Sequence, residues 1–176
     1  MKTEIAMLVG LALISTALPA QAADQARSRE LMSLMKADEF AVGAMKYGLR
    51  RKQAEAGLTD AQLACVETIP ASEFTNVVAT AISEGMSDEE VTAAIAFYRT
   101  PTGSRYVEST MARLQRKEAL PALSEDDIAK IQAFAATPAG DKLLKQGITG
   151  TSDVVSQKMA QVSGDSIENC GKKKAR

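Results

Sequence analysis

Apolar residues recur at helical spacing along most of the chain. Leu31, Leu34 and Met35 fall on one helical face, and Val42, Met45 and Leu49 carry the period to a basic end at Arg50-Arg51-Lys52. Ser28 reads as an N-cap for this segment, and cations suit a C-terminus, where free carbonyls carry partial negative charge. Gly57 marks a turn. Thr59-Asp60-Ala61-Gln62 then has the form of a capping box ahead of Leu63, Val66 and Ile69. Pro70 opens the next helix, in which Phe74, Val77, Val78, Ala81 and Ile82 form a stripe wide enough to face a core. Gly85 fits its C′ position. After Leu144 the pattern is interrupted by Gly147, Gly150 and Thr151, and Val154, Val155, Met159 and Val162 resume it. No stretch alternates apolar and polar between turn residues as a half-buried strand does. The expectation is an all-α, compact helical bundle of roughly six to eight helices.

An internal repeat at an offset of 37 residues sharpens this picture. Ser87-Asp88-Glu89-Glu90-Val91 followed by Phe97-Tyr98-Arg99-Thr100-Pro101-Thr102-Gly103 returns as Ser124-Glu125-Asp126-Asp127-Ile128 followed by Phe134-Ala135-Ala136-Thr137-Pro138-Ala139-Gly140. Basic and aliphatic positions beyond the glycine match in type. Each copy reads as helix, corner, helix. The residue before proline is pushed out of the helical region, so the first helix must stop near Thr100 or Thr137. Threonine then caps the next helix, and proline suits its first position. Gly103 and Gly140 fall in the first turn, where a missing side chain permits close packing. Two copies are too few for a solenoid, so a duplicated hairpin within the bundle is expected.

Composition narrows the chemistry. The chain has 176 residues, no histidine, and 21 basic against 22 acidic residues for a net charge of −1. A near-neutral chain lacks the positive field that nucleic-acid binding needs. Absence of histidine excludes imidazole bases, histidine-dependent nucleophiles and histidine-ligated metals. No cofactor and no metal site is expected.

Residues 1–22 read as a signal peptide. Lys2 supplies positive charge, Ile5 to Leu18 is apolar, Pro19 breaks the helix, and Ala20-Gln21-Ala22 has the small-x-small form of a cleavage site. The apolar run is short for a membrane span, and no later stretch approaches one. Cleavage after Ala22 would leave a single helical domain at 23–170 and a basic, disordered tail at 171–176. Export gives the two cysteines meaning, because an even count in an oxidising compartment reads as a disulfide between Cys65 and Cys170. A periplasmic location is expected.

The first corner, Phe97-Tyr98-Arg99-Thr100-Pro101-Thr102-Gly103, resembles the Phe-Tyr-x-Thr/Ser-Pro-x-Gly signature of the bacterial family called domain of unknown function 2059. The residues that carry it are Phe97, Tyr98, Thr100, Pro101 and Gly103. The resemblance is sharpest over residues 87 to 107 and extends loosely from 70 to 145. It implies an exported helical protein. The second copy keeps Phe134, Thr137, Pro138 and Gly140 but has Ala135-Ala136 where the signature has its second aromatic. The family name implies no activity, and no catalytic residue is carried over.

Tyr98 and Arg99 are therefore the candidate interaction residues, because the second corner forms without them. The plainer reading has Tyr98 packed with its hydroxyl at a rim and Arg99 solvated. The acidic runs at 88–90 and 125–127 lack the spacing of a calcium loop and suit helix N-termini. Glu108-Ser109 resembles the Glu-Ser pair of lytic transglycosylases, which makes a cell-wall polymer-cleaving enzyme with Glu108 as lone carboxylate the alternative function. The main expectation is a non-catalytic protein-interaction or envelope-maintenance module whose partner is another envelope protein. Lys172 to Arg176 would add weak contact with an anionic surface.

Overall fold

The computed structural model describes residues 23–53, 55, 57–115, 122–147 and 153–172. The expected leader and cleavage site at residues 1–22, and residues 173–176 of the expected tail, lie outside these. The chain is all-α: helices and their connections account for the described residues. In order the helices are α1 (Gln25–Met35), α2 (Ala37–Arg51), α3 (Asp60–Glu67), α4 (Ser72–Gly85), α5 (Asp88–Tyr98), α6 (Pro101–Leu114), α7 (Glu125–Ala135), α8 (Pro138–Gly140), which continues as a π-helical segment (Asp141–Gln146), and α9 (Asp153–Lys172).

The long N-terminal period is split where the sequence shows no glycine or proline. Lys36 takes a left-handed conformation, φ 49°, and its N–H bonds back to the α1 carbonyls of Met32 and Ser33. The period survives because α1 and α2 both turn their apolar faces to the same core. Asp24, not Ser28, caps α1. Ser28 lies inside that helix, fully buried, its hydroxyl donating to the Asp24 carbonyl at 3.0 Å. The Thr59–Gln62 capping box forms as the sequence predicts. Helix α4 begins at Ser72, two residues after Pro70.

Helix α4 is the centre of the core. Phe74, Val78, Ala81 and Ile82 are almost wholly buried, and Phe74, Val78 and Ile82 belong to one apolar cluster with Leu31 and Met32 of α1, Val91 of α5 and Met111 of α6. Fully burying an aliphatic or Phe side chain contributes about 1.5–3 kcal/mol relative to exposure, so this stripe dominates the packing energy. Helix α1 lies across α4 and α5, α2 packs on α4 and α6, and α9 packs on α3 and α4. Cys65 of α3 and Cys170 of α9 stand at disulfide distance, 2.12 Å between sulfurs and 5.5 Å between Cα atoms. The staple holds α9 on the body, and that helix runs on to Lys172, taking in the start of the expected tail.

The two repeat units pack on each other reciprocally. Glu90, three residues into α5's capping box, accepts from Lys142 Nζ at 2.7 Å. Asp127, at the same place in α7, accepts from Arg105. Lys142 and Arg105 are themselves 37 apart, so the second helix of each unit grips the first helix of the other. Phe97 and Phe134, also equivalent, stack with centroids 4.0 Å apart and planes within 5°. Reciprocal contact between equivalent residues is the mark of a two-fold arrangement, here within one chain.

Candidate functional site

Both corners are built alike. Thr100 Oγ1 accepts from Gly103 N at 3.0 Å and donates to the Phe97 carbonyl at 2.7 Å. Thr137 repeats both bonds with Gly140 and Phe134 at the same distances. A Cβ on Gly103 would lie 2.4 Å from the Phe97 carbonyl oxygen, and one on Gly140 would lie 1.9 Å from that of Phe134. The close neighbour is thus the end of the helix just before the corner. Pro101 and Pro138 occupy the first helical positions. Phe97, Thr100, Pro101 and Gly103 are placed to shape the turn.

The structure separates the two candidate interaction residues. Tyr98 is 3% exposed, edge-on to Phe97 and Phe134, and it lines the inner cavity described below. Burial, and secondly the neighbouring Tyr106, push its phenol above the ordinary value. Arg99 caps the C-terminus of α5 and pairs with Glu30 of α1 at 2.5 Å. Glu108 is an exposed residue of α6, 3.5 Å from Ser104 Oγ, and lines neither of the two concavities described next. Among the described residues no group of three or more acidic or cysteine side chains is placed to hold a metal ion.

The most perturbed carboxylate is one that the sequence reading treated as ordinary helix-start charge. Asp127 is 2% exposed. Arg105 reaches it through Nε at 3.1 Å and Nη2 at 2.5 Å, Thr102 Oγ1 donates at 2.7 Å, and the Ser124 hydroxyl and N–H donate at 2.8 and 3.1 Å. The Arg105 bonds first, then those from Thr102 and Ser124, hold its carboxyl well below the usual carboxylate range. Every acceptor direction is used by the protein itself, so this cluster fastens α6 to α7.

What remains open is an apolar groove of about 590 Å³ between α2, α6 and α7. Phe40 and Tyr47 form one wall, Tyr106, Ser109, Thr110, Arg113 and Leu114 the floor, and Leu123, Ile128, Ile131 and Gln132 the other wall. Phe40 is 42% and Ile128 44% exposed, large apolar side chains left in contact with water. Phe40, Tyr106 and Thr110 also line an adjoining inner cavity of about 290 Å³.

The repeat explains the opening. Ile128, Ile131 and Gln132 are the equivalents of Val91, Ala94 and Ile95, which are all buried, on a helix covered by α1. Among the described residues α7 has no such covering helix. The offset of 37, applied to burial, was the available signal for this face; applied to charge, it would have shown the Arg105 and Lys142 exchange. Comparisons of the chain with family models, with curated proteins and with solved structures found no match.

Proposed function

We propose that the chain is an exported, non-catalytic binding module of the bacterial cell envelope, of the kind that its resemblance to the domain of unknown function 2059 family implies. It works by receiving an apolar helix face of another envelope protein in the groove between α2, α6 and α7. The observation that carries the reading is the α7 face at Ile128 and Ile131, open where its repeat equivalent on α5 is covered. Helix-in-groove recognition needs this combination of apolar walls and a polar rim. Export is supported by the leader pattern of residues 1–22 and by the Cys65–Cys170 pair, since such staples persist in oxidising compartments. Among the described residues no helix is long and apolar enough to cross a membrane. The periplasm of a two-membrane envelope fits both features, and the basic C-terminal residues would add weak contact with an anionic surface.

The test is site-specific photocrosslinking of the exported protein in living cells. Benzoylphenylalanine at Ile128 should join a discrete envelope protein through an amphipathic segment, and the Phe40→Glu background should abolish the adduct while leaving the melting temperature unchanged. The reading fails if the adducts at Ile128 match those from exposed position Glu108.

A further inference from the structure

The inner cavity lies behind Phe40, where α2 runs past α4 and α6. Ala37, Ala41 and Ala44 line it from one face of α2, so the space follows that helix for about 10 Å at 1.5 Å per residue. Opposite stand Met35, Met111 and Met159, flexible side chains that adapt to an apolar occupant. The π-helical segment adds Leu143 and Leu144, and π-helical turns are frequent at functional sites.

The walls select among occupants. Among the described residues no charged side chain lines the cavity; its polar lining residues are Tyr98, Tyr106 and Thr110, and the Thr110 hydroxyl at the neck is already committed to the Tyr106 carbonyl at 2.9 Å. A peptide entering it would bring more N–H and C=O groups than Tyr98, Tyr106 and Thr110 can satisfy, and each one left unpaired costs several kcal/mol by hydrocarbon-transfer standards (about 4–8). A polymethylene chain brings none. Where the neck opens into the groove, Arg113 is the only charged lining residue among the described residues, and among them it has no ion-pair partner. We propose that the cavity and its mouth bind a long-chain fatty acid, its alkyl chain along the alanine face of α2 and its carboxylate at Arg113.

This site adjoins the partner-binding groove and shares Phe40, Tyr106, Thr110 and the mouth at Arg113 with it, so the two readings are tested by different measurements. The test is calorimetric titration of the exported, disulfide-bonded protein with saturated carboxylates from octanoate to hexadecanoate, below their micelle-forming concentrations. One-to-one binding should tighten about fourfold per added methylene until the cavity is full. Ala44→Leu should move that plateau to shorter chains, a shift that a merely structural alanine would not produce. Arg113→Gln should weaken hexadecanoate about two- to fivefold, the range of an exposed ion pair, and leave hexadecanol unchanged. Absence of saturable binding at every length overturns the proposal, as does a plateau unmoved by both Ala44→Leu and Ala41→Leu. Partner crosslinking at Ile128 is read separately, so either idea can fail while the other stands.

Discussion

In the first repeat unit the corner joins the eleven residues of α5 to the fourteen of α6. In the second, an identical corner joins the eleven of α7 to three α-helical residues and a six-residue π-helical segment that ends at Gly147, φ 74°. The corner itself is indifferent to this. Its threonine, proline and glycine make the same bonds with Tyr98-Arg99 ahead of them or with Ala135-Ala136. The turn is therefore a local device, and the rest of each unit is free to diverge. Divergence has gone in opposite directions. The first unit spends Val91, Ala94, Ile95 and Tyr98 on the core, while the second keeps Ile128 and Ile131 beside an open groove.

The largest expected effect comes from the reciprocal clamps, which differ in strength. Asp127 meets the planar fork of Arg105 and three further donors, whereas Glu90 meets the point charge of Lys142, which also donates to the Gly85 carbonyl at 2.9 Å, and one further donor, the Ser87 N–H at 2.7 Å. Bidentate guanidinium contacts are the more directional. Asp127→Ala should lower the urea midpoint more than Glu90→Ala. The pH dependence has a definite sign. A carboxyl with a lowered folded-state pKa binds protons more readily when unfolded, so its stabilisation is complete above the unfolded value near pH 4 and is lost as pH falls below it. Asp127→Asn should flatten the acid limb of stability below about pH 4. An unaltered acid limb would mean that the clamp does not exist in solution.

The next comparison tests the likeness of the corners. Gly140→Ala puts a methyl 1.9 Å from a backbone oxygen and Gly103→Ala puts one at 2.4 Å. Neither neighbour is a side chain that can swing away, so each should cost about 1–3 kcal/mol, with Gly140 the worse. Thr100→Ala and Thr137→Ala each remove a cap and should cost about 1 kcal/mol. Equal losses from the two threonines, read from chemical denaturation, would show that the corners carry the same load. A threefold disparity would show that the π-helical segment has already relaxed the second corner.

How much of this was legible depends on the range of each interaction. Capping boxes and proline corners are written within four residues, and all of them stand where the sequence puts them. The break at Lys36 carries no local signal, because a left-handed lysine is imposed by the packing of α1 and α2 rather than chosen by its side chain. Asp127 looked like Glu125 and Asp126, since acidity in a first turn is generic; only the approach of Arg105 from another helix makes it different. The groove was hidden for the same reason. Ile128 and Ile131 satisfy a buried helical stripe, and the sequence of α7 does not say that no helix among the described residues covers it.

The smallest effect is expected at Arg99, and it decides whether the first corner does anything besides turn the chain. The side chain is 64% exposed, and its one contact, Glu30 at 2.5 Å, is 38% exposed. A pair this wet contributes about 0.2–1 kcal/mol and is screened by salt. The second unit has Ala136 at the same place and forms its corner without such a bridge. Arg99→Ala should therefore lower stability by no more than about 1 kcal/mol, and the difference from wild type should fade at high ionic strength. A double-mutant cycle with Glu30→Ala isolates the pair. If its coupling energy accounts for the whole loss, Arg99 only steadies α1 against α5. If crosslinking of a partner at Ile128 also weakens in Arg99→Ala while the melting temperature holds, the partner reaches round α1, and the first corner belongs to the binding surface as well as to the fold.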